Sequence, residues 1–274
     1  MIVYFDTNVF DHLQQHNQGV TEWDLYRIQR AVKHGYVRLV FSSLCIEETL
    51  FIIKSKPQRA NARMKLILEL ADKQLFARGQ EMIMNNDIQS YAHGIPPLSP
   101  FISLDPGIEF NIRNLAKQEL DDLLDETRRD KTTFQDFLDE GKTKMRPMAD
   151  AIRAKRYPFD HYWANNSRWL AEGLADCAGV LAEVKQRGVD GLRKVKSVAV
   201  AVGANLSLLY SHHFENRAPD SGDSRDMLHA LVASTADIFV TNDEGLEKVL
   251  ARIPAHGFWV MSLRAFLESL PNWV

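Results

Sequence analysis

Two cysteines among 274 residues, Cys45 and Cys177, both in apolar stretches of helical character, exclude a disulfide framework and a thiolate metal site. They fit a reducing cytoplasm. No window approaches the roughly 18 uninterrupted apolar residues of a membrane-spanning helix, so no membrane association is expected. The opening Met1-Ile2-Val3-Tyr4-Phe5-Asp6 reaches a carboxylate before any leader-like apolar run, and no targeting segment is expected either. An excess of one charge is also missing: 33 Lys+Arg stand against 36 Asp+Glu, a net charge of -3. Nucleic acid would find no global positive field here, and any basic surface must be local. No fixed-period repeat and no low-complexity linker divides the chain. What is present is an ordinary globular composition, 45% hydrophobic and 25% charged, with length enough for a core carrying a large insertion.

Residues 2–5 are a short unbroken β-prone run, read as a buried central parallel strand with Asp6 at its carboxyl end. Thr21-x-x-Asp24 resembles a capping box, and Leu25, Ile28 and Val32 carry helical spacing to a stop at Gly35. A second strand spans 37–41, and Ser42 or Ser43 can cap a helix over 44–54. From 57 to 219 charged amphipathic stretches dominate, and a mostly helical insertion or lid is expected. Within it Leu170, Leu174, Cys177, Leu181 and Val184 predict one helical face ending at Gly188. Alternation then resumes: a helix over 226–235, a strand over 237–241, a helix over 244–252, a strand over 258–261 and a helix over 263–270. Strands alternating with helices imply an α/β fold with a central parallel sheet, whose ligands sit beyond the carboxyl ends of the strands. The expected core is discontinuous, residues 1–56 and 220–274.

Four segments place a carboxylate at a strand end or on an adjoining helix: Asp6, Glu48 or its neighbour Glu47, Asp226 and Asp243. A single Asp after a strand ordinarily caps a helix or forms a turn. Four in matching contexts point instead to one pocket, and carboxylates crowded in low dielectric repel each other unless a cation joins them. Glu47 and Glu48 lie among Leu44, Cys45, Ile46, Leu50, Phe51 and Ile52, which leaves little polar surface for a merely solvated pair. Clustered carboxylates with one or two divalent ions suffice for phosphodiester hydrolysis.

The strand ending in Asp6-Thr7-Asn8, the acidic second helix, Asp226 leading a helix and Thr241-Asn242-Asp243 together resemble the PIN domain family. Bacterial toxins of the VapC type are similar in the same respects. The resemblance covers roughly residues 1 to 56 and 220 to 273. It implies a three-layer α/β/α fold and a Mg²⁺- or Mn²⁺-dependent endonuclease acting on RNA more than on DNA. Carried over by position, Asp6, Glu48, Asp226 and Asp243 would be catalytic metal ligands, with Glu47 the alternative to Glu48. Thr7, Asn8 and Thr241 would orient carboxylates, and Asn242 would reach phosphate. The resemblance also admits a homodimer and an antitoxin-like protein partner. His229, one helical turn beyond Asp226, occupies a second-tier position that a structural histidine equally fits.

Two rival readings remain open. Gly222-Asp223-Ser224-Arg225-Asp226 imitates the acidic motif of haloacid-dehalogenase-like phosphatases with Asp6 as nucleophile, but Asn8 stands where that family has its second Asp. Asp223 can instead cap the helix that Asp226 begins. The other rival is a noncatalytic PIN-like scaffold that binds nucleic acid or protein. For substrate contact, residues 117–141 hold 4 Lys/Arg against 9 Asp/Glu, whereas 142–199 hold 12 against 6. Lys142, Lys144, Arg146, Arg153, Lys155 and Arg156, followed by Tyr157, His161, Tyr162 and Trp163, form a candidate surface for pairing phosphates and stacking bases. The same basic run is also what a solvated helix face looks like.

Overall fold

The computed structural model describes residues 1–17, 19–53, 55–114, 158–215, 222–254 and 256–271. The basic run from Lys142 to Arg156 lies outside them, as do residues 216–221. The described chain is α/β, built on a six-stranded sheet, mostly parallel and compatible with helices on both faces.

The apolar run at the start forms β1 (Ile2–Phe5), and it sits centrally. It pairs in parallel with β2 (Arg38–Phe41) on one side and with β5 (Ile238–Val240) on the other. Val3, Tyr4 and Phe5 are wholly buried, as a strand covered on both faces requires. Between β1 and β2 lie α1 (Thr7–Gln15) and α2 (Glu22–Lys33). The capping box on α2 is present, with Thr21 accepting from the Asp24 N–H at 3.2 Å and Asp24 from the Thr21 N–H at 2.9 Å. After β2 comes α3 (Ser43–Phe51), followed by α4 (Pro57–Leu70).

Residues 57–219 are largely helical where described, yet they also widen the sheet. β3 (Ala71–Ala77) pairs parallel to β2 with a register shift, and β4 (Phe101–Ile102) lies antiparallel at the edge. Ala71-Asp72-Lys73-Gln74 has no β-branched residue, so tertiary pairing rather than local preference makes this strand. Arg38 anchors it through Asp72 at 2.7 Å, and the Phe41 and Phe76 rings pack 5.1 Å apart. Next come α5 (Gln80–His93), α6 (Pro106–Asn114), α7 (Phe159–Cys177), α8 (Leu181–Arg187), α9 (Val189–Leu192) and α10 (Lys196–Phe214). The single stripe expected from Leu170 to Val184 is broken at Gly179, whose φ of 71° ends α7 in a left-handed turn and leaves Cys177 exposed. The chain closes with α11 (Asp223–Ala233), β5, α12 (Glu244–Ala251), β6 (Trp259–Met261) and α13 (Leu263–Ser269).

The strand order β4-β3-β2-β1-β5-β6 means that the chain builds outward from β1 in one direction and later in the other. The crevice beyond the carboxyl ends of β1 and β5 is therefore the switch point where α/β sheets place ligands. Helix α10 ties this sheet to a second apolar cluster. Its Val200, Ala204 and Leu208 enter the sheet core, while Val198, Val202 and Leu206, offset by half a turn, enter a core formed with α5, α7, α8 and α9. No helix among the described residues is long and apolar enough to cross a membrane.

The α10 backbone approaches the end of α12 closely at Gly203, where an added Cβ would lie 2.5 Å from Ile253 Cγ2 and 2.7 Å from its Cγ1. Gly203→Ala should therefore destabilise the protein by about 1–3 kcal/mol in urea denaturation, even though alanine favours a helix by about 1 kcal/mol. Shortening the opposing side chain in Gly203→Ala/Ile253→Ala should recover part of the loss, and strict additivity of the two changes would refute the close contact.

Candidate functional site

Asp6 ends β1, where its N–H donates to Val240 O at 3.0 Å, so backbone pairing with β5 sets its position. It stands at the N-cap of α1, yet its side chain makes no cap hydrogen bond. The carboxylate instead accepts from Asn8 Nδ2 and Thr241 Oγ1, both on Oδ2 at 2.8 Å. Thr241 Oγ1 also accepts from the Asp243 N–H at 3.0 Å, so the two strand ends share one network. Asn8 and Thr241 thus stand where residues orienting a carboxylate were expected.

Of the two glutamates on α3, Glu48 faces this network. Its Oε2 is 3.3 Å from His229 Nε2, and its Oε1 is 3.4 Å from Arg225 Nη1, whose guanidinium lies 4.2 Å over the Phe51 ring. Glu47, one residue back, shows no such contact. Thr7 is buried beside Glu48 and favours its ionised form, although its hydroxyl reaches no partner at hydrogen-bonding geometry. Asn242 lends its side-chain oxygen to the Leu263 N–H at 2.9 Å, tying β5 to α13.

His229 on α11 is the residue that sequence reasoning undervalued. It is 2% exposed, and its Nδ1 bonds Tyr4 OH at 2.7 Å. Its Nε2 lies 3.3 Å from Glu48 Oε2, off hydrogen-bonding geometry, and 3.8 Å from Asp6 Oδ1, beyond hydrogen-bonding distance. Ligand atoms of Asp6, Glu48 and His229 all fall within 4.8 Å of one another. The signal in the sequence was its helical spacing from Asp226; the missing information was that Tyr4, 225 residues away, would hold the other nitrogen.

Asp226 and Asp243 stand outside this tight group but within its field. Asp243 Oδ1 caps α12, accepting from the N–H groups of Gly245 at 2.7 Å and Leu246 at 2.9 Å. Asp223 is not a cap: Gly222 holds that position, and the buried Asp223 carboxylate lies 3.2 Å from His212. Tyr162 and Trp163, candidates for base stacking, are half-buried, Tyr162 against Tyr210 and Phe214 and Trp163 against Phe159 and under Arg193.

The electrostatics follow from this crowding. Burial pushes the Asp6 carboxyl above its ordinary range, against the pull of His229 and with the push of Glu48. Burial acts the same way on Glu48, but His229, Thr7 and Arg225 outweigh it and hold the carboxyl down at about 2. Burial would lower His229, yet the carboxylates of Asp6, Glu48 and Asp226 raise it overall. Asp226, buried and facing the charges of Asp243 and Asp6, is pushed up to about 7. Burial also lifts the Cys45 thiol to about 12, so that it stays a protonated thiol near neutral pH.

Asp226 and His229 both hold protons more tightly folded than unfolded, the first from about pH 4 to 7 and the second above its ordinary 6.5. Folding without metal therefore takes up protons, and stability falls as pH rises through this window. In chelator-treated protein, chemical denaturation should show less stability at pH 8 than at pH 5. Asp226→Asn should remove much of that fall and stabilise the metal-free chain at pH 8 by about 2–4 kcal/mol; a slope as steep as the wild type's would mean that Asp226 is not the crowded group. Compared with known proteins, the chain that builds this cluster has no match among protein-family models, curated proteins or solved structures.

Proposed function

We propose that this chain is a divalent-metal-dependent nuclease with a PIN-like, three-layer α/β/α core, hydrolysing phosphodiester bonds of RNA in preference to DNA. The observation that carries the reading is the convergence of Asp6, Glu48 and a buried, hydrogen-bond-deficient His229 Nε2 at the switch point of the sheet. Their spacing suits a cation: ligands about 2.1 Å from one ion lie about 3 Å apart when adjacent and about 4.2 Å apart when opposite. The two carboxylates also suit Mg²⁺ or Mn²⁺ better than a thiolate-seeking metal.

In this reading Asp6 and Glu48 hold the ion beside His229, and Asp226 and Asp243 extend the negative rim toward a second ion or toward water. A bound divalent cation supplies Lewis-acid neutralisation of the charge that builds on the phosphate oxygens. Asn8 and Thr241 fix the Asp6 carboxylate, and the Arg225 guanidinium, braced on Phe51, offers a partner for a substrate phosphate. The phosphatase alternative needs a proton donor two residues beyond Asp6; Asn8 is an amide already donating to Asp6.

Enzyme and scaffold part company on one substitution. Asp6→Asn should lower Mn²⁺-dependent cleavage of a single-stranded RNA oligonucleotide by at least about a hundredfold, with the circular dichroism spectrum unchanged. Wild-type protein that cleaves neither RNA nor DNA with added Mg²⁺ or Mn²⁺, or an Asp6→Asn variant of full activity, would sink the nuclease reading.

A further inference from the structure

Behind His229 runs a buried chain of polar atoms that the cleavage reading does not use. Tyr4 OH lies 2.7 Å from His229 Nδ1 and 3.0 Å from Ser42 Oγ; Ser42 donates to Cys45 Sγ at 3.7 Å, and Cys45 donates to Phe5 O at 3.8 Å. Tyr4 is wholly buried, and burial keeps its hydroxyl protonated. With Ser42 and Cys45 donating onward, the chain runs in one direction when Nδ1–H donates to Tyr4 and Tyr4 donates to Ser42. In the neutral ring that tautomer turns the Nε2 lone pair toward the Asp6 and Glu48 carboxylates. A proton shared with the carboxylates offsets the mutual repulsion of these three donors, and a cation that displaces the proton would meet the same three atoms.

We infer that His229 is itself a metal ligand through Nε2, oriented by Tyr4 and Ser42, so that the centre prefers a first-row transition ion such as Mn²⁺ over Mg²⁺. The inference rests on the metal-dependent reading above and goes beyond the four-acid set that the sequence suggested. Mg²⁺ is a hard ion that favours oxygen donors, whereas an imidazole nitrogen adds affinity for the borderline transition ions. The oxygen partner on Nδ1 is the arrangement that fixes the tautomer and ring orientation of a ligating histidine. Tyr4 and Ser42 are positioning residues here, since they touch His229 or each other and not the ion.

Mn²⁺ itself is the probe, because its paramagnetism reports on its ligands without turnover. Full-length protein titrated with Mn²⁺ and studied by pulsed electron paramagnetic resonance should show ¹⁴N coupling to the bound ion. His229→Gln should lose that coupling and weaken Mn²⁺ binding about 10- to 100-fold, with Mg²⁺ affinity, read by competition, changing far less. Tyr4→Phe should keep the ¹⁴N coupling while weakening Mn²⁺ binding about tenfold, which a residue that merely fills space would not do. Bound Mn²⁺ without ¹⁴N coupling in the wild type would overturn this inference and leave the metal-dependent reading standing. Absence of any binding of Mn²⁺ or Mg²⁺ would overturn both.

Discussion

The fold is organised around a carboxylate that has been taken out of water. Asp6 is 7% exposed, and the contacts that make this tolerable come from Asn8 beside it and from distant parts of the chain. Its backbone is pinned by β5, its Oδ2 is satisfied by Asn8 and Thr241, and its Oδ1 looks toward His229. An isolated buried carboxylate would cost several kcal/mol or take up a proton. Holding Asp6 in this network therefore depends on β1 being central, because only a strand paired on both sides can bring α3 and the end of β5 to the same carboxyl end. The order β2-β1-β5 is what meets that demand.

How much of this was legible follows from the range of the forces involved. β1, β2 and the capped α2 were readable because unbroken apolar runs and capping boxes are local signals, and Asp6, Glu48 and Asp243 stood out because each closely follows a strand at or on the next helix. β3 was not, since Ala71-Asp72-Lys73-Gln74 has no strand preference of its own and owes its conformation to pairing with β2 and to the Arg38–Asp72 contact. The stripe from Leu170 to Val184 kept its period across Gly179, and periodicity does not register a left-handed residue that ends one helix and starts another. Glu47 and Glu48 could not be separated by pattern, because the distinction lies in what α11 brings against them.

His229 shows the same limit most clearly. A lone histidine on a partly apolar helix reads equally well as packing or as chemistry, and one turn from Asp226 is only a proximity. Its character is set by two atoms from opposite ends of the chain: Tyr4 OH on Nδ1, and an unsatisfied Nε2 between two carboxylates. A core histidine would have both nitrogens satisfied by the fold. This one has a nitrogen that the described protein leaves without a hydrogen bond, and it is the nitrogen facing the acids.

Asp243 removes the opposition between cap and ligand that a sequence reading has to choose between. A carboxylate has two oxygens, and here Oδ1 accepts two backbone N–H groups at the start of α12. The partial positive charge of that helix N-terminus sits against the carboxylate and offsets part of its repulsion toward the neighbouring acids. Asp226 lies inside the first turn of α11 and has no such double bond to backbone donors, so the mutual repulsion of the rim falls on it, and its carboxyl rises to about 7 while burial and the charges of Asp243 and Asp6 act together. The rim thus has one acid whose carboxylate the backbone supports and one that carries the repulsion of its neighbours. Such a division lets the protein fold with its acids assembled, because the least supported carboxylate can carry a proton.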